Sequence, residues 1–325
     1  MRHQPVPIAS PRERAVTILT QASHSDWAQL RANALEALIS QPELLRREVL
    51  SGLADENRGV RFVATMAIAR AQLCDLTSFI EPLLKDPSDS VRAAAIYALS
   101  KCGEEIDPSP LGEMAFSSDP EVRANAYLVL GLLGNPSAQP LIRASLSYSF
   151  GLVDPVRIRL VELQGAAALV RLGDHQEIEP IRAALFAPTE QAEITALAIQ
   201  LLNQLHDEGA RQMLVRLVEA PSNEARPPEI RLAAAEAIAQ LGAREPQPLL
   251  RLAQEYLESP NPATRAQVAS LLSVTDDGTS VTFLTDLMGD QDALVRLAAA
   301  GGLLQLASSD GSEKDRSRTA AAAVH

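Results

Sequence analysis

Histidine and cysteine would carry the most specific chemistry in this 325-residue chain, and neither type is spaced for catalysis or metal binding. No two histidines lie the roughly three to five residues apart that place paired zinc ligands on one helix, and no Cys-x-x-Cys occurs. Phosphate-binding glycine motifs and the Gly-x-Ser-x-Gly nucleophile motif are also absent. We therefore predict no catalytic residue, no metal, no cofactor and no enzymatic activity. The five histidines are His3, His24, His175, His206 and His325.

Composition narrows the partners that the chain could bind. The net charge is −12 and the pI is near 5.0, which disfavours nucleic acid and anionic membranes because binding to both depends on Lys and Arg. The amino terminus has no apolar segment of the signal-peptide kind, and the longest apolar run, 126–133, is too short to span a bilayer. We expect a cytoplasmic monomer that binds neither nucleic acid nor membrane.

A Val-Arg dipeptide returns along the chain at intervals of 30 to 39 residues, each time followed by an Ala-rich apolar stretch. A period in this range indicates one supersecondary unit stacked many times. The clear copies are Val60-Arg61, Val91-Arg92, Val122-Arg123, Ile230-Arg231 and Val295-Arg296. The looser copies are Leu30-Arg31, Val161-Glu162, Ile194-Thr195 and Thr264-Arg265.

The copy from Lys85 to Phe116 shows the unit most clearly. A turn with helix-capping residue types precedes an apolar helical stripe over 91–101, and Gly103 stops that helix. A second short apolar stretch over 111–115 supplies the first helix of the next repeat. The pattern predicts an all-α solenoid of about nine two-helix repeats over residues 12–307. We expect residues 1–11 to be a disordered amino-terminal segment and 308–325 a disordered tail.

The pattern Asp-Pro-x-x-x-Val-Arg-x-x-Ala-x-x-Ala-Leu-x-x-x-Gly resembles the HEAT repeat, and more narrowly the HEAT-like class described in phycobilisome lyases. The best copies run from Asp86 to Gly103 and from Asp119 to Gly134. The resemblance covers about residues 14–307 and implies that the second helices line the concave side of the array. The family also includes a di-iron hydroxylase whose ligands are His-Glu dipeptides, and this chain contains none.

The repeated arginine has a structural interpretation. Arg92, Arg123 and Arg296 each follow a turn that contains acids, so an arginine of one repeat can pair with an acid of its neighbour. We expect a ladder of ion pairs and amide caps rather than ligand-binding residues. Its predicted members are Arg61, Arg92, Arg123, Arg231, Arg296, Asp89, Asp119 and Asp292.

The second-helix face opposite the core is the surface most suited to binding. Counted from each Val anchor, offsets 6 and 10 fall on that face, and they carry Met, Tyr and Leu beside Arg and Lys in the first repeats. Ordinary surface residues, or positions covered by the curvature of the array, are the alternative interpretation. The predicted partner-binding residues are Met66, Arg70, Tyr97, Lys101, Leu128, Leu132, Arg171 and Gln200.

Three smaller features also carry expectations. An insertion over 145–154 brings Tyr148 and Phe150 into an aromatic-poor chain, and we favour a longer first helix over a protruding loop or a bend in the array. We expect Cys74 and Cys102, near the ends of neighbouring second helices, to be buried thiols. We expect Trp27 to cover the exposed end of the array.

The sequence favours a non-enzymatic scaffold that binds another protein or a peptide segment on the concave face of repeats two to five. The narrower resemblance implies one alternative, a bilin lyase or chaperone-like factor for chromophore attachment. A regulatory module of a larger enzyme or signalling protein is the other.

Overall fold

The computed structural model describes residues 9–220, 226–242, 247–275 and 278–322, with side chains in the last range to Ser308. These residues form eighteen α-helices and no strand, and the helices alternate as the first and second members of nine pairs. In chain order they are α1 (Pro11–Ser23), α2 (Ala28–Ala37), α3 (Pro42–Leu53), α4 (Arg58–Arg70), α5 (Thr77–Ile80), α6 (Asp89–Lys101), α7 (Pro110–Met114), α8 (Pro120–Leu133), α9 (Gln139–Leu146), α10 (Pro155–Arg171), α11 (Ile178–Ala184), α12 (Ala192–Gln204), α13 (Arg211–Glu219), α14 (Pro228–Gln240), α15 (Gln247–Tyr256), α16 (Pro262–Leu272), α17 (Gly278–Leu287) and α18 (Ala293–Ala322). The predicted all-α repeat architecture is confirmed.

The helices form two compact units, one of residues 49–245 and the other of residues 1–48 together with 246–325. In the first unit, the second helices stack in the order α4, α6, α8, α10, α12 and α14. Helix starts follow the sequence closely: the carboxylate of Asp119 accepts from the Glu121 amide at 2.9 Å, and a proline follows at the first helical position. Gly134 ends α8 with a φ of +70°, a backbone conformation that favours glycine.

Small residues let α8 and α10 approach closely. A β-carbon placed on Gly131 would lie 2.9 Å from the Cα of Ala168, nearer than real side chains permit. In α6, every residue from Ala93 to Leu99 is buried, because neighbouring second helices cover both flanks. The Ala-rich stretches therefore set the spacing of the stack.

The second unit joins the two ends of the chain. Helix α18 packs against α1 and α2 as well as against α16 and α17. The side-chain Nε2 of Gln41 donates to the Leu304 carbonyl at 3.1 Å, and a β-carbon on Gly301 would lie 3.0 Å from the β-carbon of Ala37. The first and last helices thus cover each other. The prediction that Trp27 would cover an exposed end was wrong: its side chain is 61% exposed at the start of α2.

The chain ends differ in part from expectation. Ser10 caps α1 through a capping box with Glu13, so helix begins at Pro11, and the rest of the predicted disordered segment lies outside the described residues. Helix α18 continues to Ala322, where a disordered tail from Ser308 was expected.

The insertion lengthens the second helix of its repeat, not the first. Helix α9 ends at Leu146, residues 147–154 form a loop, and α10 has 17 residues where α8 has 14. The favoured longer first helix was therefore wrong. The reason is local: the carboxylate of Asp154 accepts from the Val156 amide at 2.7 Å and starts α10 a turn early.

Cys74 and Cys102 are joined by a disulfide, so the prediction of two free thiols was wrong. Their Cα atoms lie 5.2 Å apart because the ends of α4 and α6 are adjacent in the stack. The bond links two neighbouring repeats. No described helix combines the length and the apolar character needed to cross a lipid bilayer.

Candidate protein-binding surface

A groove with a volume of about 590 Å³ lies on the exposed face of three consecutive second helices of the first unit. Its floor is apolar and its rim is polar. We call it the second-helix groove; its lining residues are Pro120, Glu121 and Ala124 of α8, Arg157, Leu160, Val161 and Gln164 of α10, and Glu193, Ala196, Leu197 and Gln200 of α12.

Helix periodicity places one stripe of α10 along the groove. Arg157, Leu160 and Gln164 lie on one face, and two turns further on the same face carries Arg171. The close approach of α8 and α10 at Gly131 closes the space between their carboxyl-terminal halves. The lining residues accordingly come from the amino-terminal parts of these helices.

Two polar atoms on this stripe are shielded from solvent and have no hydrogen-bond partner among the described residues: Oε1 of Gln164 and Nη1 of Arg171. The other terminal nitrogen of Arg171 donates to Oε1 of Gln204 at 2.8 Å. Burial lowers the pKa of Arg171 below its usual range. A buried polar atom without a partner costs free energy, so the stripe holds groups that a bound chain could satisfy.

The rim carries both signs of charge. Glu121 accepts from Arg58 at 2.8 Å, an ion pair that reaches from α8 to α4. Arg157 and Glu193 face the groove from α10 and α12, and neither forms a salt bridge within the described part of the chain. A partner segment would therefore meet a positive group on one side and a negative group on the other.

Of the eight predicted contact residues, the groove includes only Gln200. Leu128 and Leu132 of α8 are half-buried, whereas Arg70 and Lys101 are exposed on α4 and α6. Arg171 lies on the groove stripe, beyond the lining itself.

The exposure expected for Met66 and Tyr97 was wrong, since their side chains are only 9% and 7% exposed. Burial raises the pKa of Tyr97, and the charge of Arg70 on the neighbouring helix opposes that rise. Offset 6 faces the gap between successive second helices in this part of the stack. Contact with the neighbouring second helices therefore accounts for the burial.

Residues 157–164 were missed because the repeat was aligned on Val161, and the offsets counted from that anchor, 6 and 10, fall on Ala167 and Arg171. The dipeptide Asp154-Pro155 was the available signal. It matches the Asp119-Pro120 cap that starts α8.

The repeated arginines lie at repeat junctions, and they form two kinds of contact. Arg61 donates from Nε and Nη2 to both carboxylate oxygens of Asp86, at 2.7 and 2.9 Å. Burial alone would raise the pKa of Asp86, but the hydrogen bonds from Arg61 and from the Ser88 amide keep it below its usual value. Arg182 with Asp207 and Arg265 with Asp290 repeat this geometry, and neither pair was predicted from the sequence.

The second kind of contact is with backbone carbonyls. Arg92 and Arg296 each donate to the carbonyl six residues earlier in the chain, at 2.8 Å. Arg123 does the same at 2.9 Å, and Arg231 reaches the carbonyl of Val218 at 3.2 Å.

The predicted acidic members of the ladder have local roles. Asp89 pairs with Arg92 inside one helical turn, and Asp119 caps α8. Asp292 accepts from the Leu294 amide at 2.8 Å at the start of α18. Among the described residues no group of three His, Cys, Asp or Glu side chains is arranged to hold a metal ion.

Comparison with known proteins identifies HEAT repeats in two segments of the chain. No curated protein matches the sequence. Among solved structures, the chain is similar to a chain of the complex of CpcE and CpcF of phycocyanin lyase from Nostoc sp. PCC7120, with 16% identity and a TM-score of 0.41 over 78% of this chain and 96% of that one. The family model for HEAT repeats matches residues 47–118 and 224–304. These two segments therefore contain HEAT repeats, in agreement with the paired helices and capped turns seen there.

Proposed function

We propose that this protein is a non-enzymatic scaffold that holds a segment of another protein in the second-helix groove. The observation that carries the proposal is the shielded, unpartnered Oε1 of Gln164 beside an apolar floor that includes Leu160 and Leu197. Apolar floors supply affinity through burial, and a few placed polar groups supply orientation. A backbone or side-chain N–H of the partner would complete the Gln164 amide.

The rim charges define the partner further. Arg157 and Glu193 stand on different helices, so a bound segment is oriented when it presents an acid to the first and a base to the second. The groove spans three repeats, which suits an extended or helical segment better than a small molecule. Compared with the sequence-based expectation of repeats two to five, the proposed surface lies over repeats four to six.

Cross-linking followed by a matched pair of variants tests the proposal. A photo-reactive residue at Leu160 should capture a protein from the native source, and the same group at Gln212, exposed on α13, should not. Ala196→Arg fills the groove from an exposed position and should weaken binding of the captured protein about 100-fold, with thermal unfolding unchanged. Gln212→Arg makes a similar change of charge outside the groove and should bind as wild type. Equal binding by Ala196→Arg and wild type would refute the location.

Chromophore attachment, the alternative from the resemblance, is tested separately. The purified protein is incubated with a bilin and an apo-phycobiliprotein subunit, and visible absorbance of the subunit is followed. A covalent coloured product would replace the scaffold proposal with a lyase activity. No residue of the second-helix groove favours that chemistry.

A further inference from the structure

The three bidentate arginine–aspartate pairs share one sequence separation, and Arg123 has no acid at that separation. In Arg61–Asp86, Arg182–Asp207 and Arg265–Asp290 the acid follows the arginine by 25 residues. The residue 25 positions after Arg123 is Tyr148, which has no carboxylate. The loop 147–154 therefore replaces an acid with an aromatic residue.

Arg123 is buried, with 1% of its surface exposed, and none of the described acids pairs with it. Its Nε donates to the Ser117 carbonyl and its Nη1 to the Tyr148 carbonyl, both at 2.9 Å. Its Nη2 is shielded and has no hydrogen-bond partner in the part of the chain that the structure describes. The ring of Phe150 lies over the guanidinium with its centre 3.7 Å from Cζ. Carbonyls and a ring face thus hold a cation whose counter-ion is missing, an arrangement that is costly in a protein interior.

The surface over this cation is apolar and open. Tyr148 is 60% exposed and packs edge-on against Phe116 with ring centres 5.9 Å apart, and Leu152 is fully exposed. Aromatic residues make up only 3% of the chain, so their concentration here is unusual. Exposed apolar side chains grouped over a charged centre are typical of protein interaction sites.

We infer that Arg123, Phe116, Tyr148, Phe150 and Leu152 form a second docking site, for a segment of a protein partner that carries a carboxylate between apolar side chains. The carboxylate pairs with Nη2 of Arg123, as Asp86, Asp207 and Asp290 do with the arginines 25 residues before them. Phe150 moves off the guanidinium to admit it, and the apolar neighbours of the carboxylate pack on Tyr148 and Leu152. The choice of occupant follows from charge complementarity with Arg123, a buried arginine that pairs with none of the described acids.

Two peptides that differ only in charge test this site on the full chain. Acetyl-Leu-Asp-Leu-amide and acetyl-Leu-Asn-Leu-amide are titrated to about 10 mM into protein labelled with ¹⁵N-arginine, and the Arg Nε–H resonances are followed by NMR. The Asp peptide should shift the Arg123 resonance, assigned through Arg123→Lys, and bind at least about tenfold more tightly than the Asn peptide. The Arg61 and Arg265 resonances should not move, because Asp86 and Asp290 already pair with these two guanidinium groups.

Equal responses to the two peptides, or no movement of the Arg123 resonance, would overturn the inference. Leu152→Asp is the matched surface variant: it leaves Arg123 intact, and it should weaken binding of the Asp peptide. A concentration-dependent dimer that Leu152→Asp disperses would also overturn it, since the occupant would then be a second copy of this chain.

Discussion

At the scale of single residues, the Arg61–Asp86 and Arg265–Asp290 pairs each tie two neighbouring repeats through an arginine that also donates to a backbone carbonyl. Arg265 shows both contacts: Nη1 reaches the Ser259 carbonyl at 2.6 Å, while Nε and Nη2 hold the carboxylate of Asp290. Removing one partner would leave the other half-buried and unpaired, which costs more than the net contribution of the intact pair. These junctions are therefore sensitive to single substitutions.

The Arg265–Asp290 pair predicts how stability depends on pH. Hydrogen bonds from Arg265 keep the pKa of Asp290 below its usual value, against the opposing effect of burial. A lowered folded-state pKa contributes stability that is complete above the unfolded-state pKa of about 4 and is lost as pH falls through the folded-state value. Asp290→Asn should therefore destabilise the protein by about 1–3 kcal/mol at neutral pH and by much less at low pH.

Urea unfolding of wild type and Asp290→Asn from about pH 2 to 7 measures this difference. Asp286→Asn, an exposed position on α17, is the control and should track wild type throughout. A stability difference between Asp290→Asn and wild type that does not change with pH would contradict the assignment.

At the scale of helices, the stack depends on how closely its members approach. Glycine is needed at Gly131 because the backbone of α10 lies where a side chain would be. Gly112 has no such role: the nearest atom to a β-carbon there would be Cδ2 of Leu141, at an ordinary 3.8 Å. A glycine-to-alanine change raises helix propensity at both positions but causes a clash only at Gly131, so comparing the two variants separates the effect of propensity from that of packing.

Gly131→Ala should destabilise the protein although alanine favours helix by about 1 kcal/mol. The clash with Ala168 should outweigh that gain and leave a net loss of about 1–2 kcal/mol in the free energy of unfolding. Gly112→Ala should be neutral or slightly stabilising. Chemical denaturation of both variants gives the comparison, and equal effects would show that α8 and α10 are not in close contact.

The disulfide predicts a second effect at this scale. It closes a loop of 28 residues, and a cross-link of that span stabilises by about 3–4 kcal/mol through the unfolded chain. Cys74→Ser and reduction of the wild type should each lower the free energy of unfolding by this amount, and reduction should not affect Cys74→Ser further. Equal stability with and without reductant would mean that the bond does not form in solution. In a reducing cytosol the pair would be two thiols, so the disulfide conflicts with the cytoplasmic location expected from the sequence.

Sequence periodicity predicted the helices better than the surface they present. The expected helix 91–101 falls inside α6, because the Val-Arg anchor, the capping turn and Gly103 are all local signals. Exposure depends instead on neighbouring helices, which is why Tyr97 proved to be buried. The disulfide was missed for the same reason, since only the stacking of α4 on α6 brings its two ends together.

At the scale of the whole molecule, the decisive feature is that one compact unit contains both ends of the chain. Repeat arrays need polar capping repeats where a terminal helix pair has no neighbour. Here α18 is the neighbour of α1 and α2, and the buried faces of these helices include Leu19, Leu35 and Leu304. An exposed cap is not required at this junction.

Deleting residues 1–26, and with them α1, should therefore loosen α18. We expect backbone amides of residues 293–307 to exchange with solvent at least about tenfold faster, as measured by hydrogen–deuterium exchange and mass spectrometry. Peptides from α8, in the other unit, serve as the internal reference. Unchanged protection of α18 in the shortened protein would show that α1 contributes nothing to its stability.

The contact between the first and last helices also determines when the amino-terminal helices can finish folding during translation. Gln41 is made 263 residues before Leu304, the carbonyl that it binds. At a translation rate of about 5–20 residues per second, roughly 13–50 s pass between the synthesis of α2 and that of the α18 segment against which it packs. During that time the apolar face of α2 is exposed to chaperones and to aggregation. In a truncated translation product that lacks α18, this face stays exposed.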